Sequence, residues 1–240
     1  MVSIGDEFTS QNGSKVVVIS YLNNKNITVK YDSGVVRVVQ KSNLTRGSFK
    51  DPMLPSVIGV GVLGDDDFKS TDQSCITWRN MLRRVYSPKP GLEYEAYKDC
   101  SVCEDWLFLP NFRKWFDTQV YYKGYQLDKD LLFKNNKVYS ADTCVFVPQE
   151  VNKFLTNRVR KRGLYPVGVS YKTSNSKFDA KLSIGSSSKY LGLFDTPEEA
   201  FAAYKEAKEN EAKRLADLWE GKVDRKVILA LRNFSVSIED

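Results

Sequence analysis

The chain has 240 residues, of which 42% are hydrophobic and 28% are charged, a balance typical of a folded globular protein that excludes wholesale disorder. Its net charge of +6 favours an anionic partner but does not identify one. The chain contains no histidine, so every active site that uses an imidazole as its proton acceptor is excluded.

The N-terminal segment, MVSIGDEFTS, has no basic region followed by an apolar core, so no secretory signal is expected. Apolar runs such as residues 16–19 are far too short to span a bilayer, and we expect no membrane partner. The cysteine content, four residues in a chain of this size, fits a reducing compartment. We therefore expect a cytoplasmic location.

The cysteines predict buried reduced thiols rather than a zinc site. Cys100 and Cys103 form a C-x-x-C pair. A zinc site would also need Cys75 and Cys144, which are lone residues far apart in the sequence. The segments VCEDW and TCVFVP are apolar, so buried thiols account for the pattern better and zinc is not expected.

Residues 1–50 predict a small β domain. The runs SKVVVISYL, NITVKYDSG and VVRVVQ are rich in β-branched and aromatic residues and are separated by polar turns. Alternation in ITVKY places Ile27, Val29 and Tyr31 on one face of a strand. Short strands joined by tight turns predict a small β-barrel of the Tudor or SH3 kind. Its role stays open between a structural cap and a barrel that binds nucleic acid or a host protein.

Residues 51–74 are rich in Gly, Pro, Ser and Asp and predict a linker. Its three consecutive aspartates, residues 65–67, predict a solvated loop, because adjacent carboxylates in an extended segment cannot all face one metal ion. From Cys75 the pattern becomes helical. The aromatic residues of SVCEDWLFLPNFRKWFDTQ then predict a packed core rather than a surface on which bases stack.

A segment that we call the finger, residues 124–152, has the sequence GYQLDKDLLFKNNKVYSADTCVFVPQEVN. It predicts a strand, a tight polar turn, a second strand and the start of a helix. That order is the outline of a small metal-dependent nuclease motif. The usual proton acceptor of such a motif is a histidine, which this chain lacks.

Four segments, in this order, resemble phage-encoded HNH-type homing endonucleases: TWRNMLRRVY, SVCEDWLFLPNFRKWF, YQLDKDLLFKNNKVYSADTCVFVPQEVN and YPVGVSYK. The resemblance covers roughly residues 53–234. It implies a ββα metal domain over residues 75–157 that holds one divalent cation, magnesium or manganese. The implied metal ligands are Asp128 and Asn152, and Asp130 joins them as an implied catalytic residue.

The chain departs from this family's pattern at two places. Thr143 stands where the family usually has a central asparagine, and the histidine base is missing. Lys129 stays protonated unless it is strongly desolvated, and a carboxylate that also binds a metal is a poor base. We therefore expect catalysis to be weak or lost. The alternative is an active magnesium- or manganese-dependent endonuclease that nicks DNA.

Residues 158–240 predict three strands followed by a helix, and the tail DRKVILALRNFSVSIED predicts a closing helix and a closing strand. The segments VGVSYK, SKFDAKLSI and KYLGLFD have the alternation of strands, and DTPEEA begins a helix with Asp195 or Thr196 as its cap. The stripe predicted to cover one side of the sheet comprises Phe201, Tyr204, the stem of Lys208, Leu215 and Leu218. The opposite side, which we call the open face, carries Lys177, Asp179, Lys181 and Ser183.

This C-terminal part resembles the APETALA-type, ethylene-responsive DNA-binding domain, which implies that the open face enters the major groove of double-stranded DNA. Residues 158–189 hold eight basic side chains and one acidic one, whereas residues 191–220 hold four basic and eight acidic ones. The implied DNA contacts on the sheet are Lys172, Lys177, Lys181, Lys189 and Tyr190. A basic linker adds further phosphate contacts from Arg158, Arg160, Lys161 and Arg162.

These patterns together predict an α+β fold with three parts: a small N-terminal β-barrel, an HNH-like ββα domain, and a C-terminal three-stranded sheet with a helix. The predicted function is that of a phage-type DNA-binding protein in the host cytoplasm, built on an endonuclease scaffold. An adaptor that binds a host protein or RNA through the barrel and the finger is a further alternative.

Overall fold

The computed structural model describes residues 1–87, 89–155, 164–185 and 187–239. The four basic linker residues predicted to contact phosphate lie outside the described residues: Arg158, Arg160, Lys161 and Arg162. The chain has a mixed α+β fold and divides into two compact units, Met1–Thr118 and Gln119–Asp240. The α+β class predicted from the sequence is confirmed. The predicted domain boundaries at residues 50, 74 and 157 stay predictions.

The first unit begins with an antiparallel sheet of four strands in sequential order. The strands are β1 (Glu7–Thr9), β2 (Lys15–Asn23), β3 (Asn26–Tyr31) and β4 (Val36–Val39). Ile27, Val29 and Tyr31 are buried in the core of this sheet, as their alternation predicts. This strand periodicity therefore identified the buried face correctly.

The predicted closed barrel is wrong, because the N-terminal sheet is open. Strands β1 and β4 form its two edges, and within residues 1–87 they do not pair with each other. After β4 the chain forms a short helix, α1 (Lys41–Thr45), instead of another strand. Leu44 of this helix and Phe49 complete the hydrophobic core. A helical turn thus fills the place that a closing strand would take.

The rest of the first unit is mainly helical. Its elements are α2 (Gln73–Tyr86), α3 (Leu92–Tyr97), the short strand β5 (Ser101–Val102), a 3-10 helix (Glu104–Leu107) and α4 (Leu109–Phe116). Trp78 is buried and its indole donates a hydrogen bond to the carbonyl of Trp106 at 2.6 Å. Trp106 packs edge-on against Phe112, with ring centroids 4.9 Å apart. The aromatic-rich segment thus forms a core, as predicted.

The second unit contains the finger and the C-terminal sheet. Its first elements are β6 (Gln126–Asp128), β7 (Val138–Tyr139), β8 (Val145–Val147) and α5 (Gln149–Leu155). They are followed by β9 (Val169–Lys172), β10 (Lys177–Ile184), β11 (Ser187–Phe194), α6 (Pro197–Trp219) and α7 (Arg225–Arg232). Strand β10 lies between β11 and β9, and both pairings are antiparallel. The three-stranded sheet with a helix is confirmed. Helix α7 matches the predicted closing helix, but residues 233–239 form no strand, so the predicted closing strand is wrong.

Helix α6 begins with a complete capping box. Thr196 is the cap: its hydroxyl accepts a hydrogen bond from the Glu199 N–H, and the Glu199 carboxylate accepts one from the Thr196 N–H. Pro197 occupies the first turn, where its missing N–H costs nothing. Of the two caps considered from the sequence, the structure therefore selects Thr196.

The two halves of helix α6 contribute to different hydrophobic cores. In the first half, Phe201 and Tyr204 pack with Leu182 of β10. Gly168 makes this contact possible, because a Cβ at that position would lie 2.1 Å from the Tyr204 ring. In the second half, Leu215 belongs instead to a core formed with residues of β8, α5 and α7. The prediction that Leu215 covers the sheet is therefore wrong.

A buried lysine joins helix α6 to the end of the finger. The Lys208 ammonium donates a hydrogen bond to the Phe154 carbonyl at 2.6 Å and lies 3.9 Å from the centroid of the Phe154 ring. Burial lowers the pKa of Lys208 to about 8. This contact satisfies a carbonyl in the last turn of α5, where helices leave carbonyls without partners in the backbone. The end of the finger helix is thereby fixed against α6.

Candidate nucleic-acid interface and finger

The finger does not form the predicted hairpin with a tight polar turn. Its paired strands, β6 and β8, are separated by residues 129–144, which include β7, and a helix follows β8. Strand β6 pairs with β8, so that Asp128 lies opposite Val145, and α5 follows β8 directly. Between the strands, the side-chain amide of Asn136 donates hydrogen bonds to the carbonyls of Lys129 and Val138, both at 2.7 Å. This amide fixes the polar connection that leads from β6 to β7.

Asp128 ends strand β6 and is buried, with 8% of its surface exposed. Its Oδ1 atom accepts hydrogen bonds from the backbone N–H groups of Asp130 at 3.1 Å and Leu131 at 2.8 Å. Burial raises the pKa of Asp128 to about 6, and the neighbouring charge of Asp130 adds to the rise. The folded chain therefore holds this carboxylate in an environment that disfavours its charged form.

Lys129 places an ammonium group next to the carboxylates of the finger. Its Nζ atom lies 3.0 Å from Oδ2 of Asp130 and 6.0 Å from the centroid of the Tyr139 ring. The Lys129 side chain is only 9% exposed. Lysine is rarely buried unless it is paired, so the chain itself supplies a cation at this place.

The two other positions implied by the resemblance are Thr143 and Asn152. The Thr143 hydroxyl donates a hydrogen bond to the Val138 carbonyl at 2.7 Å and lies 2.9 Å from the Ser140 hydroxyl. Asn152 is half-buried on α5, and its backbone N–H donates to the Pro148 carbonyl at 2.9 Å. Thr143 therefore binds a backbone carbonyl of the finger. The structure brings Asp128 and Asp130 into contact through the hydrogen bond from the Asp130 N–H.

These residues are a poor fit for a divalent cation. Within the described ranges, no three side chains of the His, Cys, Asp or Glu type cluster as a metal site. A metal ion near Asp130 would compete with the Lys129 ammonium, and Oδ1 of Asp128 already accepts two backbone hydrogen bonds. The magnesium or manganese site, with Asp128 and Asn152 as ligands, stays a prediction.

The cysteines are free thiols. Cys75 and Cys144 are buried, whereas Cys100 and Cys103 are partly exposed. Burial raises the pKa of Cys144 to about 12, which keeps its thiol protonated. These positions agree with inert thiols at Cys75 and Cys144, and the expectation that the chain binds no zinc stays a prediction.

The open face of the C-terminal sheet brings several predicted DNA contacts together. The register places Lys172 opposite Lys177, Ser170 opposite Asp179, and Tyr190 opposite Lys181. Residues directly opposite each other in an antiparallel pair lie on the same side of a sheet. Leu182, in the alternate set, packs against α6. The open face therefore carries these six residues.

Lys189 does not share the open face. It lies opposite Leu182, so strand alternation places it on the side of the sheet that faces α6. The cause is a register shift between Ala180 and Lys181, where β11 contains one extra residue, Leu191. The sequence does not reveal such a shift, because an alternating pattern gives no sign of where a strand gains a residue.

The lysines of the open face differ in their ion pairs. Lys177 lies 2.9 Å from Asp195, and both side chains are exposed. Lys181 lies 2.6 Å from Asp179, whose side chain is only 2% exposed. Lys172 forms no ion pair with the residues that the structure describes. Sequence reasoning placed Asp179 among the outward positions but did not identify it as a partner of Lys181.

An aromatic cluster at one end of the sheet was not predicted as a unit. Tyr165, Tyr171 and Phe178 pack with ring centroids between 5.0 and 6.3 Å apart. Tyr171 remains 42% exposed. The only signal in the sequence was the aromatic character of these positions, which does not by itself indicate that they meet. Tyr171 belongs to β9, so the cluster packs on the same strand that carries Lys172.

Comparisons with family models, curated proteins and solved structures found no match to this chain. Among the described residues, no helix combines the length and the apolar character needed to cross a membrane.

The buried carboxylate of Asp128 predicts a measurable pH dependence of stability. Because its pKa rises from 3.8 to about 6 on folding, the free energy of unfolding should fall as the pH rises through this interval. Replacing Asp128 by Asn keeps an oxygen for the two backbone hydrogen bonds but removes the charge. The variant should be more stable than the natural chain at pH 7, by ~3 kcal/mol at most.

Urea denaturation of both proteins at several pH values between 4 and 7 measures this difference. Asp142→Asn, which removes an exposed carboxylate near the finger, controls for the change in net charge. Equal stabilities of the natural chain and Asp128→Asn across this range would contradict the raised pKa assigned to Asp128.

Proposed function

We propose that this chain is a DNA-binding protein on a nuclease-like scaffold, and that the open face of its C-terminal sheet contacts double-stranded DNA. The observation that carries the proposal is the grouping of Lys172, Lys177, Lys181 and Tyr190 on one uncovered side of a three-stranded sheet. Helix α6 covers the other side. Lysine and tyrosine side chains are suited to contacts with phosphate oxygens.

The dimensions of the sheet support a location in the major groove. Neighbouring strands lie ~4.8 Å apart, so three strands are ~10 Å wide from the first backbone to the third. The major groove is ~12 Å wide and admits an element of this size. A sheet with bulky side chains on one side and a helix on the other enters with its open face toward the bases. The exposed Tyr190 and Lys172 then lie near the phosphates of the groove walls.

On this proposal the finger derives from a nuclease motif but lacks an efficient proton acceptor. A positioned general base typically contributes ~10²–10⁴-fold to the rate, and no histidine is present to supply it. Lys129 is paired with Asp130, so its ammonium is poorly placed to become a neutral base. We infer that the finger stabilises the second unit and that cleavage of DNA is weak or lost.

An active nicking endonuclease is the second candidate function, and Asp128 favours it. Asp128 is a buried carboxylate at the end of the first finger strand, where the resemblance places a catalytic group. Side chains whose pKa is strongly shifted by burial are more frequent at functional sites than elsewhere. Asn152 and Asp130 would then complete the catalytic set. The roles of an adaptor and of a host-protein partner for the N-terminal sheet stay predictions.

The DNA interface predicts a specific change in salt dependence. Replacing both Lys172 and Lys177 by Ala should weaken the binding of duplex DNA, because fewer phosphates are then neutralised and fewer counterions are released. The slope of log K against log salt concentration should fall by ~0.9 for each phosphate that is no longer neutralised. Fluorescence anisotropy with a labelled duplex at several salt concentrations measures this slope.

The matched control removes the same charge from helices outside the sheet, as Lys213→Ala with Lys226→Ala, since both lysines are exposed on α6 and α7. This control should leave the slope close to that of the natural chain. If the two double variants reduce the slope equally, net charge rather than the open face governs binding, and the proposed interface is wrong.

Incubation with supercoiled plasmid tests the finger. With magnesium or manganese present, the natural chain should produce little nicked DNA, because no efficient base is positioned to activate water. Any residual nicking should disappear in Asp128→Ala. Rapid cleavage with multiple turnovers would overturn the proposal and establish the endonuclease instead.

A further inference from the structure

Asp179 is an acidic residue at the centre of a surface that is otherwise basic. The Ser170 hydroxyl donates a hydrogen bond to its Oδ1 atom at 2.5 Å, and Nζ of Lys181 lies 2.6 Å from Oδ2. Lys181 is the ion-pair partner of Oδ2 among the described residues, although the contact lacks hydrogen-bond geometry, and the charge of Lys172 adds a weaker attraction. The Lys181 ammonium, and after it the Ser170 hydroxyl, hold the pKa of Asp179 below its usual range. The carboxylate is therefore charged at neutral pH.

The burial of Asp179 restrains Lys181. If the ammonium moved to a DNA phosphate, the Asp179 carboxylate, whose side chain is 2% exposed with the pair formed, would keep only the hydrogen bond from Ser170 and the weaker attraction of Lys172. Leaving one member of a buried ion pair without its partner is strongly unfavourable. Lys181 therefore stays on Asp179, and the pair has no net charge to offer a phosphate.

The pair of Lys177 and Asp195 provides a contrast. Both side chains are exposed, at 44% and 76%, and their atoms lie 2.9 Å apart. Ion pairs of this kind are weak, because water solvates both charges when they separate. A phosphate displaces Asp195 from Lys177 at little cost. The two lysines therefore differ in how freely they bind DNA, although the sequence presents them as equivalent.

We propose that Asp179 lowers the affinity of the open face for DNA of arbitrary sequence by neutralising Lys181, so that the centre of the face does not bind phosphate indiscriminately. This inference rests on the proposed function of DNA binding. The outer lysines, Lys172 and Lys177, provide the attraction to the backbone. The neutral pair of Asp179 and Lys181 lowers the affinity for DNA of arbitrary sequence. Discrimination between sequences then depends on contacts with base edges rather than with phosphates.

The experiment compares Asp179→Asn with the natural chain on a duplex of arbitrary sequence. The amide oxygen of Asn keeps the contact with Ser170, whereas the loss of charge frees Lys181. Affinity should rise roughly three- to tenfold at low salt, as expected for removing one negative charge several ångströms from a phosphate. The slope of log K against log salt concentration should steepen by up to ~0.9.

Asp195→Asn is the matched control, because it removes the same charge from an exposed pair. It should raise affinity by less than about twofold, since Lys177 is already free to bind phosphate. Equal gains in affinity from Asp179→Asn and Asp195→Asn would show a general effect of net charge and would overturn the inference. An unchanged or lower affinity of Asp179→Asn would overturn it as well.

A second variant tests the pair if Asp179→Asn does not fold. Asp179→Asn combined with Lys181→Gln replaces the pair by two neutral amides and keeps the net charge. If Asp179 neutralises Lys181, this double variant should keep the salt slope of the natural chain. A slope lower by ~0.9 would show that Lys181 contacts phosphate independently, which contradicts the inference.

Retention on heparin separates the inference from the proposed function. If the natural chain does not bind duplex DNA but Asp179→Asn elutes from heparin at higher salt, the proposed function fails and the role of Asp179 stands. If the natural chain binds DNA and Asp179→Asn elutes from heparin unchanged, the proposed function stands and the role of Asp179 fails.

Discussion

The second unit depends on helix α6, which is buried against two different partners along its length. Its first half packs Phe201 and Tyr204 against the C-terminal sheet, and its second half packs Leu215 into the core that contains β8 and α5. A single helix can cover only one side of a three-stranded sheet. Among the described residues no further layer covers the open face, and its outer lysines, Lys172 and Lys177, are available to a partner.

The same helix also stabilises the finger through apolar contacts. Val145 and Val151 of the finger, and Phe154 directly after it, belong to the core that α6 and α7 complete. Lys208 adds a hydrogen bond to the end of the finger helix. Small metal-bound motifs usually obtain their folding free energy from the ion, because they bury too little apolar surface alone. Here the apolar contacts with α6 and α7 give the finger a hydrophobic core of its own.

Much of this arrangement follows from local patterns in the sequence. Alternation along β3 identified the buried Ile27 and Val29, and the cap of α6 was one of two residues considered. Closure of the N-terminal barrel did not follow, because whether a chain adds a strand or a helical turn after β4 depends on which of them fills the core. The same limit applies to Leu215, whose partner could not be identified from the periodicity of its own helix.

The candidate site shows where prediction from a sequence ends. The sequence identified the basic strand β10 and the two aspartates of the finger. It did not reveal that Lys189 lies on the other side of the sheet, because a single extra residue in β11 changes the side on which the preceding residues lie. It also did not reveal that Asp179 is buried against Lys181. Both features arise from pairing between strands, which alternation within one strand does not encode.

The central claim is that the open face of the C-terminal sheet contacts DNA. Titration of the isotope-labelled chain with a short duplex, followed by NMR of the backbone amides, tests it most directly. The amides of β9, β10 and β11 should shift together, with Lys172, Lys177 and Tyr190 among the most affected. Shifts centred on Asp128 and helix α5 would place DNA on the finger and would contradict the account.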